Sequence, residues 1–85
     1  MQGIVNEKVS VISVYDKNKG TSLPVKLYWQ GKVRVITKIG FHHSKWEGRK
    51  LIHFFSVADR SLCYFLSLDT ENLHWSLLEV SDGSV

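Results

Sequence analysis

The sequence predicts an all-β fold, a small six-stranded antiparallel meander curled into an open or closed barrel of SH3-like size. Apolar residues recur with a period of two along most of the chain, and no stretch carries them at helical spacing for two full turns. Residues that favour strands are frequent, whereas alanine occurs once, at Ala58. Six short strands cannot cover both faces of a flat sheet in so short a chain, so we expect the sheet to curl its apolar face inward.

The most clearly marked element is a hairpin formed by residues 25–30 and 32–39. Gln30-Gly31 is the expected connection, because glycine supplies the positive φ that a two-residue hairpin turn requires. In the first strand Val25, Leu27 and Trp29 alternate with polar residues, and the second strand alternates in the same way. The alternation predicts that one solvent-exposed face carries the residues Lys26, Tyr28, Lys32, Arg34 and Lys38.

Four further strands are predicted, at residues 4–15, 51–57, 61–68 and 73–80. The first changes phase near Val11-Ile12, which indicates a β-bulge, and Pro24 is expected at a strand entry, where its missing N–H is tolerated. Residues 17–22 form a polar loop. Residues 41–50 lack alternation and are predicted to be the longest loop.

Length and composition predict one cytoplasmic domain. A chain of 85 residues holds a single core, expected over residues 1–80, with residues 81–85 as a disordered tail. The single cysteine, Cys63, cannot form an intramolecular disulfide, which favours a reducing compartment. No apolar run reaches the roughly 18 residues of a membrane span, and no signal peptide is recognisable.

Charge is distributed unevenly along the chain. Residues 17–50 hold nine Lys or Arg and one Glu, a net charge of +8, whereas the remainder carries −5. A basic sheet face with an exposed aromatic ring is typical of binding to DNA or RNA, because phosphates release counterions and bases stack on rings. The candidate residues are those of the exposed face together with Trp46, Arg49 and Lys50 at its rim. The alternative is that these lysines only keep an exposed sheet soluble.

No metal, cofactor or catalytic site is predicted. The four histidines and Cys63 lack the paired spacing of zinc ligands, and the adjacent His42 and His43 point to opposite sides of an extended chain. The sequence has no nucleophile elbow, oxyanion-forming glycine run or cofactor fingerprint. Enzymatic activity is therefore not expected.

The three tryptophans divide into two groups. Trp29 and Trp75 fall on strands and are expected to anchor the core. Trp46 falls in the predicted loop, where it either caps one end of the barrel or serves as a contact residue.

Several of these features together resemble a known family. They are a proline, an aromatic strand ending in W-x-G-(K/R), a valine-rich return strand, the later Trp46 and a final W-x-L, here Pro24, residues 25–35 and Trp75-Ser76-Leu77. The chain over about residues 23–80 resembles an uncharacterised family of small bacterial all-β domains, which also occur at the C-termini of polymerase-like proteins of error-prone DNA repair. The resemblance implies a non-catalytic accessory module that acts near DNA.

Two functions are therefore expected. The first is weak, non-sequence-specific nucleic-acid binding through the basic face, without membrane association. The second is protein binding or self-association through an exposed strand edge or the Trp46 loop, by a monomer or weak homodimer.

Overall fold

A computed structural model describes residues 2–82 as one seven-stranded antiparallel sheet that curls into an open half-barrel. The strands are β1 (Gln2–Asp16), β2 (Thr21–Trp29), β3 (Lys32–Val35), β4 (Lys38–Glu47), β5 (Lys50–Ala58), β6 (Cys63–Asp69) and β7 (His74–Ser81). Their order in the sheet is β3-β2-β1-β7-β6-β5-β4. The all-β prediction is confirmed, but the strand count of six is wrong.

The additional strand is β4, where the sequence predicted a loop. Its residues pair with β5 from Lys38 opposite Ala58 to Glu47 opposite Lys50. The register shifts between Ile39 and Phe41, so a bulge at this point breaks the alternation that marks a strand. Gly48, with φ of 64°, closes the β4–β5 hairpin in the left-handed region that suits glycine.

The predicted strand 32–39 is divided between the two edges of the sheet. β3 ends at Val35, and only residues 36 and 37 separate it from β4 at the opposite edge. Ile36 N–H still donates to Val25 O at 3.0 Å, whereas Thr37 N–H donates to Ala58 O of β5 at 2.8 Å. The two edges therefore meet at this end of the molecule, which fixes the curl of the sheet.

The inner face of the half-barrel is defined by its core side chains. Leu27, Phe55, Leu66 and Leu77 are completely buried, and Trp75 is buried as predicted. Trp29 is half-buried and packs against this core from its border. Residues directly opposite each other in an antiparallel pair lie on the same face, so the register assigns each paired strand residue to the inner face or to the outer face.

The long strand β1 carries two irregularities, which allow it to bend along the sheet. The predicted bulge near Val11-Ile12 is confirmed as a register shift between Ile12 and Ser13. Pro24 lies inside β2 opposite Ser13, beside this bulge, where a missing N–H costs little. A second shift in β1 lies between Ile4 and Glu7.

The C-terminal end of the sheet lies in β7. Ser81, expected in the tail, is the last residue of β7 and pairs with Cys63. Residues 83–85 of the expected tail lie outside the described residues. Within residues 2–82, no helix has the length and apolar character needed to cross a membrane.

Candidate nucleic-acid interface

The register of the β2–β3 hairpin divides the predicted basic face. Gln30 and Gly31 both have positive φ, 52° and 71°, and form the predicted two-residue turn. This turn sets Lys32 opposite Trp29 and Arg34 opposite Leu27. Lys32 and Arg34 therefore lie on the inner face, so their expected placement beside Lys26 and Tyr28 is wrong.

The outer face of this hairpin is less basic than predicted. Lys26 and Tyr28 do lie there, both exposed, but their neighbours on β3 are Val35 and Val33. The two valines are 54% and 44% exposed. The hairpin thus offers one cation and one aromatic ring on a mainly apolar surface.

Arg34 belongs to a cluster of interacting side chains at the border of the core. Its guanidinium carbon lies 5.3 Å from the centroid of the Trp29 ring, in cation–π geometry. Trp29 Nε1 donates a hydrogen bond of 2.6 Å to Glu7 Oε1. Arg34 is half-buried, and its Nε is buried without a hydrogen-bond partner. This side chain is engaged with the protein and is poorly placed to meet a polyanion.

The same cluster extends to Asp59 in the turn between β5 and β6. Asp59 Oδ1 accepts hydrogen bonds from Ser61 N–H and Leu62 N–H, both at 2.7 Å, and Oδ2 accepts one from Tyr64 OH at 2.7 Å. Burial alone would raise the pKa of Asp59, but these three donors and the nearby Arg34 charge together lower it. The turn is thus organised around an ionised carboxylate.

The other four predicted site residues lie in the β4–β5 hairpin. Lys38 pairs with Ala58 on the outer face, and Arg49 lies in the hairpin turn beside Lys50. Lys50 Nζ lies 3.5 Å from Asp69 Oδ2 and 3.8 Å from Glu71 Oε1. Because these carboxylates are so close, Lys50 contributes little positive potential to the surface.

Trp46 lies on a strand and not in the predicted loop. It lies on β4 opposite Leu51, on the inner side of the hairpin, and is 66% exposed. A ring with this exposure does not cap the core. Of the two alternatives for Trp46, the barrel cap is therefore wrong.

A continuous run of aromatic rings crosses the outer face of β4, β5 and β6. Its members are Phe41, His43, Phe54 and Phe65, which we call the ring run. The ring centroids of Phe41 and His43 are 4.9 Å apart, those of His43 and Phe54 are 5.0 Å apart, and those of Phe54 and Phe65 are 5.9 Å apart. Phe41 is 53% exposed, His43 is exposed, and the two others are half-buried.

Sequence reasoning missed the ring run because residues 41–50 were interpreted as a loop. A signal was present, since Phe41 and His43 are two residues apart and so share a face of any extended strand. Lys45 continues this spacing, and it pairs with Ile52 on the outer face. Lys38 and Lys45 therefore flank the exposed rings on the same strand and the same face.

The inner side of the hairpin carries a histidine pair. His42 Nε2 lies 2.7 Å from His53 Nδ1, and the His42 ring stacks on Phe55 at 4.5 Å. Burial, and then the charges of His53, His43 and Lys19, lower the pKa of His42; burial lowers that of His53. Both shifts favour the neutral form of the rings. His42 and His43 point to opposite faces, as predicted.

The basic segment borders the opening of the half-barrel. Residues 17–50 form β2, β3 and β4, which lie at the two ends of the strand order. The remainder of the chain, which carries the net negative charge, forms the middle of the sheet as β1, β7, β6 and all of β5 except Lys50. Positive charge is therefore concentrated beside the opening, and β4 is the longer of the two strands that border it.

Comparison with known proteins adds no identification. No protein-family model matches the chain, and neither a curated protein nor a solved structure matches it. Within residues 2–82, no three or more His, Cys, Asp or Glu side chains are grouped so that they could hold a metal ion.

Proposed function

We propose that the protein is a non-catalytic module that binds single-stranded nucleic acid, weakly and without strong sequence preference, along the outer face of β4. Bases stack on the exposed part of the ring run, and phosphates lie against Lys38, Lys45 and Arg49. This site replaces the hairpin face that the sequence suggested.

The observation that carries this function is the unbroken series of ring contacts from Phe41 through His43 and Phe54 to Phe65 on a solvent-facing sheet surface. Every base has a π-face, so successive rings offer stacking positions that do not depend on sequence. Burial of a core explains rings on the inner face, but Phe41 and His43 are exposed on the outer one. Exposed rings beside cations are the surface that single strands recognise.

The charges around the ring run favour one direction of approach. Lys38 and Lys45 lie on the β4 side, and Arg49 lies at the tip of the hairpin. On the other side, Glu79 of β7 pairs with Phe65, and Asp69 is engaged with Lys50. A phosphate backbone is therefore expected to follow β4 and to avoid β7.

The decisive experiment compares two exposed aromatic residues of the outer face. Fluorescence anisotropy with labelled oligothymidylate measures binding to Phe41→Ala and to Tyr28→Ala, whose parent rings are 53% and 50% exposed. Loss of one stacking position costs about 1–3 kcal/mol, so Phe41→Ala weakens binding about 5- to 150-fold. Tyr28→Ala leaves it unchanged.

Salt dependence tests the cations in the same way. Replacing Lys45 by alanine removes one phosphate contact, and the slope of log K against log salt becomes shallower by about 0.7. Lys26→Ala, which causes the same change in net charge, leaves the slope intact. Loss of binding in the Tyr28 and Lys26 variants alone would move the site back to the β2–β3 hairpin, and no binding by the wild type would reject the function.

A further inference from the structure

The outer edge of β4 is the longest unpaired strand edge among residues 2–82. β4 has ten residues and pairs only with β5, and all ten are exposed. Ile39, Phe41 and Trp46 are 38%, 53% and 66% exposed. The opposite edge, β3, has four residues and continues directly into the segment that is bonded to Ala58. Long edges with apolar side chains pair readily with another strand.

We propose that β4 pairs antiparallel with β4 of a second copy of the chain, around a two-fold axis at His43. This interface does not depend on nucleic-acid binding. The two-fold axis lies perpendicular to the sheet, since adjacent antiparallel strands of identical chains share their faces only in this arrangement.

Charge complementarity along β4 favours a second copy as the occupant. The strand begins with Lys38 and ends with Glu47. Antiparallel pairing brings the Lys38 end of each copy beside the Glu47 end of the other, whereas parallel pairing would set like charges together. The same complementarity occurs twice because the interface is two-fold symmetric.

The register at His43 also matches side chains by size and chemistry. Phe41 then lies opposite Lys45 of the second copy, on the outer face, where a cation can stack on the ring. Trp46 lies opposite Gly40, which has no side chain to exclude the indole. A register centred on Lys45 sets two lysines opposite each other, and one centred on Ser44 sets His43 opposite Lys45, so both are less favourable.

Pairing in this register joins the two ring runs into one surface. Neighbouring strands lie about 4.8 Å apart, and the two outer faces are on the same side of the combined sheet. Phe41 and His43 of each copy then border the same two-fold axis. The dimer would thereby offer a single strand a longer series of stacking positions than one copy does.

Sedimentation velocity without nucleic acid, at about pH 8, tests the interface. The apparent mass is expected to rise from 9.8 kDa toward twice that value between micromolar and millimolar concentration. Trp46→Lys should abolish the rise, because it replaces the indole that lies opposite Gly40 of the second copy by a charged side chain. Val33→Lys, a similar change at the edge of β3, should preserve it. A monomer at every concentration, or equal effects of both variants, would overturn the proposal.

Disulfide trapping tests the register independently. In a Cys63→Ser background, two His43→Cys chains place their thiols directly across the axis, within reach of a disulfide. In Ser44→Cys chains, the same residues lie diagonally and farther apart. Rapid covalent dimerisation of the His43→Cys chain alone is expected, and equal or reversed rates would contradict the register.

Discussion

Replacing Tyr64 by phenylalanine is expected to destabilise the fold because the phenol group is buried. Tyr64 is 1% exposed, and its hydroxyl donates a 2.7 Å hydrogen bond to Asp59 Oδ2. A hydrogen bond to an ionised group contributes about 1.5–3 kcal/mol, so the free energy of unfolding of Tyr64→Phe should fall by about that amount. Asp59→Ala removes the acceptor of three hydrogen bonds and leaves Arg34 as the side-chain partner of the buried Tyr64 hydroxyl, which should cost about 3–5 kcal/mol.

Urea unfolding at pH 7, followed by tryptophan fluorescence, measures these effects. The double variant is expected to be about as stable as Asp59→Ala alone, because the hydrogen bond between Tyr64 and Asp59 is already lost in that variant. The coupling energy of the cycle should be about 1.5–3 kcal/mol. Tyr28→Phe, which alters an exposed tyrosine, serves as the control and should stay within about 0.5 kcal/mol of the wild type. A Tyr64→Phe variant as stable as this control, or strictly additive single effects, would refute the role assigned to the cluster.

Other predictions concern pH and backbone conformation. Asp59 has a lowered pKa in the folded state, so its contribution should persist above its ordinary value of 3.8 and be lost as pH falls below it, as acid titration of stability can measure. Burial, and then Asp59, raise the pKa of Tyr64 to about 12, so stability should decline as pH rises from 10 toward 12; ultraviolet titration of the phenol checks this. His42 and His53 have lowered pKa values, so their contribution should be lost as pH falls below 6.5, with NMR titration of both rings showing midpoints below that value. Gly31→Ala should lower the free energy of unfolding by about 1–2 kcal/mol, because alanine is strained at a φ of 71°. No neighbouring atom lies within 4 Å, so a steric clash adds nothing to this cost. Urea unfolding measures the change, and an unchanged midpoint would contradict this backbone strain.

The alternation of side chains was sufficient to predict the strands that form the core. The hairpin turn at Gln30-Gly31, the bulge after Ile12 and the burial of Trp75 follow from glycine, phase change and strand spacing. These features depend on a few neighbouring residues and on one apolar face. Local patterns of this kind are visible without knowledge of the tertiary structure.

The faces of the hairpin were not predicted correctly because alternation was followed within each strand and not across the turn. A two-residue turn pairs Trp29 with Lys32, so the polar set of β3 faces the same side as the apolar set of β2. Arg34 is accommodated on the inner side by the Trp29 ring. The pairing rule for two-residue hairpins was sufficient to show this.

Strand β4 was missed for a different reason. An edge strand that is exposed throughout has no buried side to impose alternation, and the bulge between Ile39 and Phe41 removes what periodicity is left. Its pairing with β5 arises from the 48–49 turn and from the rings stacked across the two strands. The candidate interface therefore became visible only when β4, β5 and β6 were aligned in the sheet.

An NMR titration with oligothymidylate, observing aromatic and backbone signals together, tests the ring run most directly as a nucleic-acid interface. We expect ring signals of Phe41 and His43 to shift first, Phe54 and Lys45 amides to follow, and all shifts to fade with salt. Shifts confined to the β2–β3 hairpin, or none at low salt, would contradict the account.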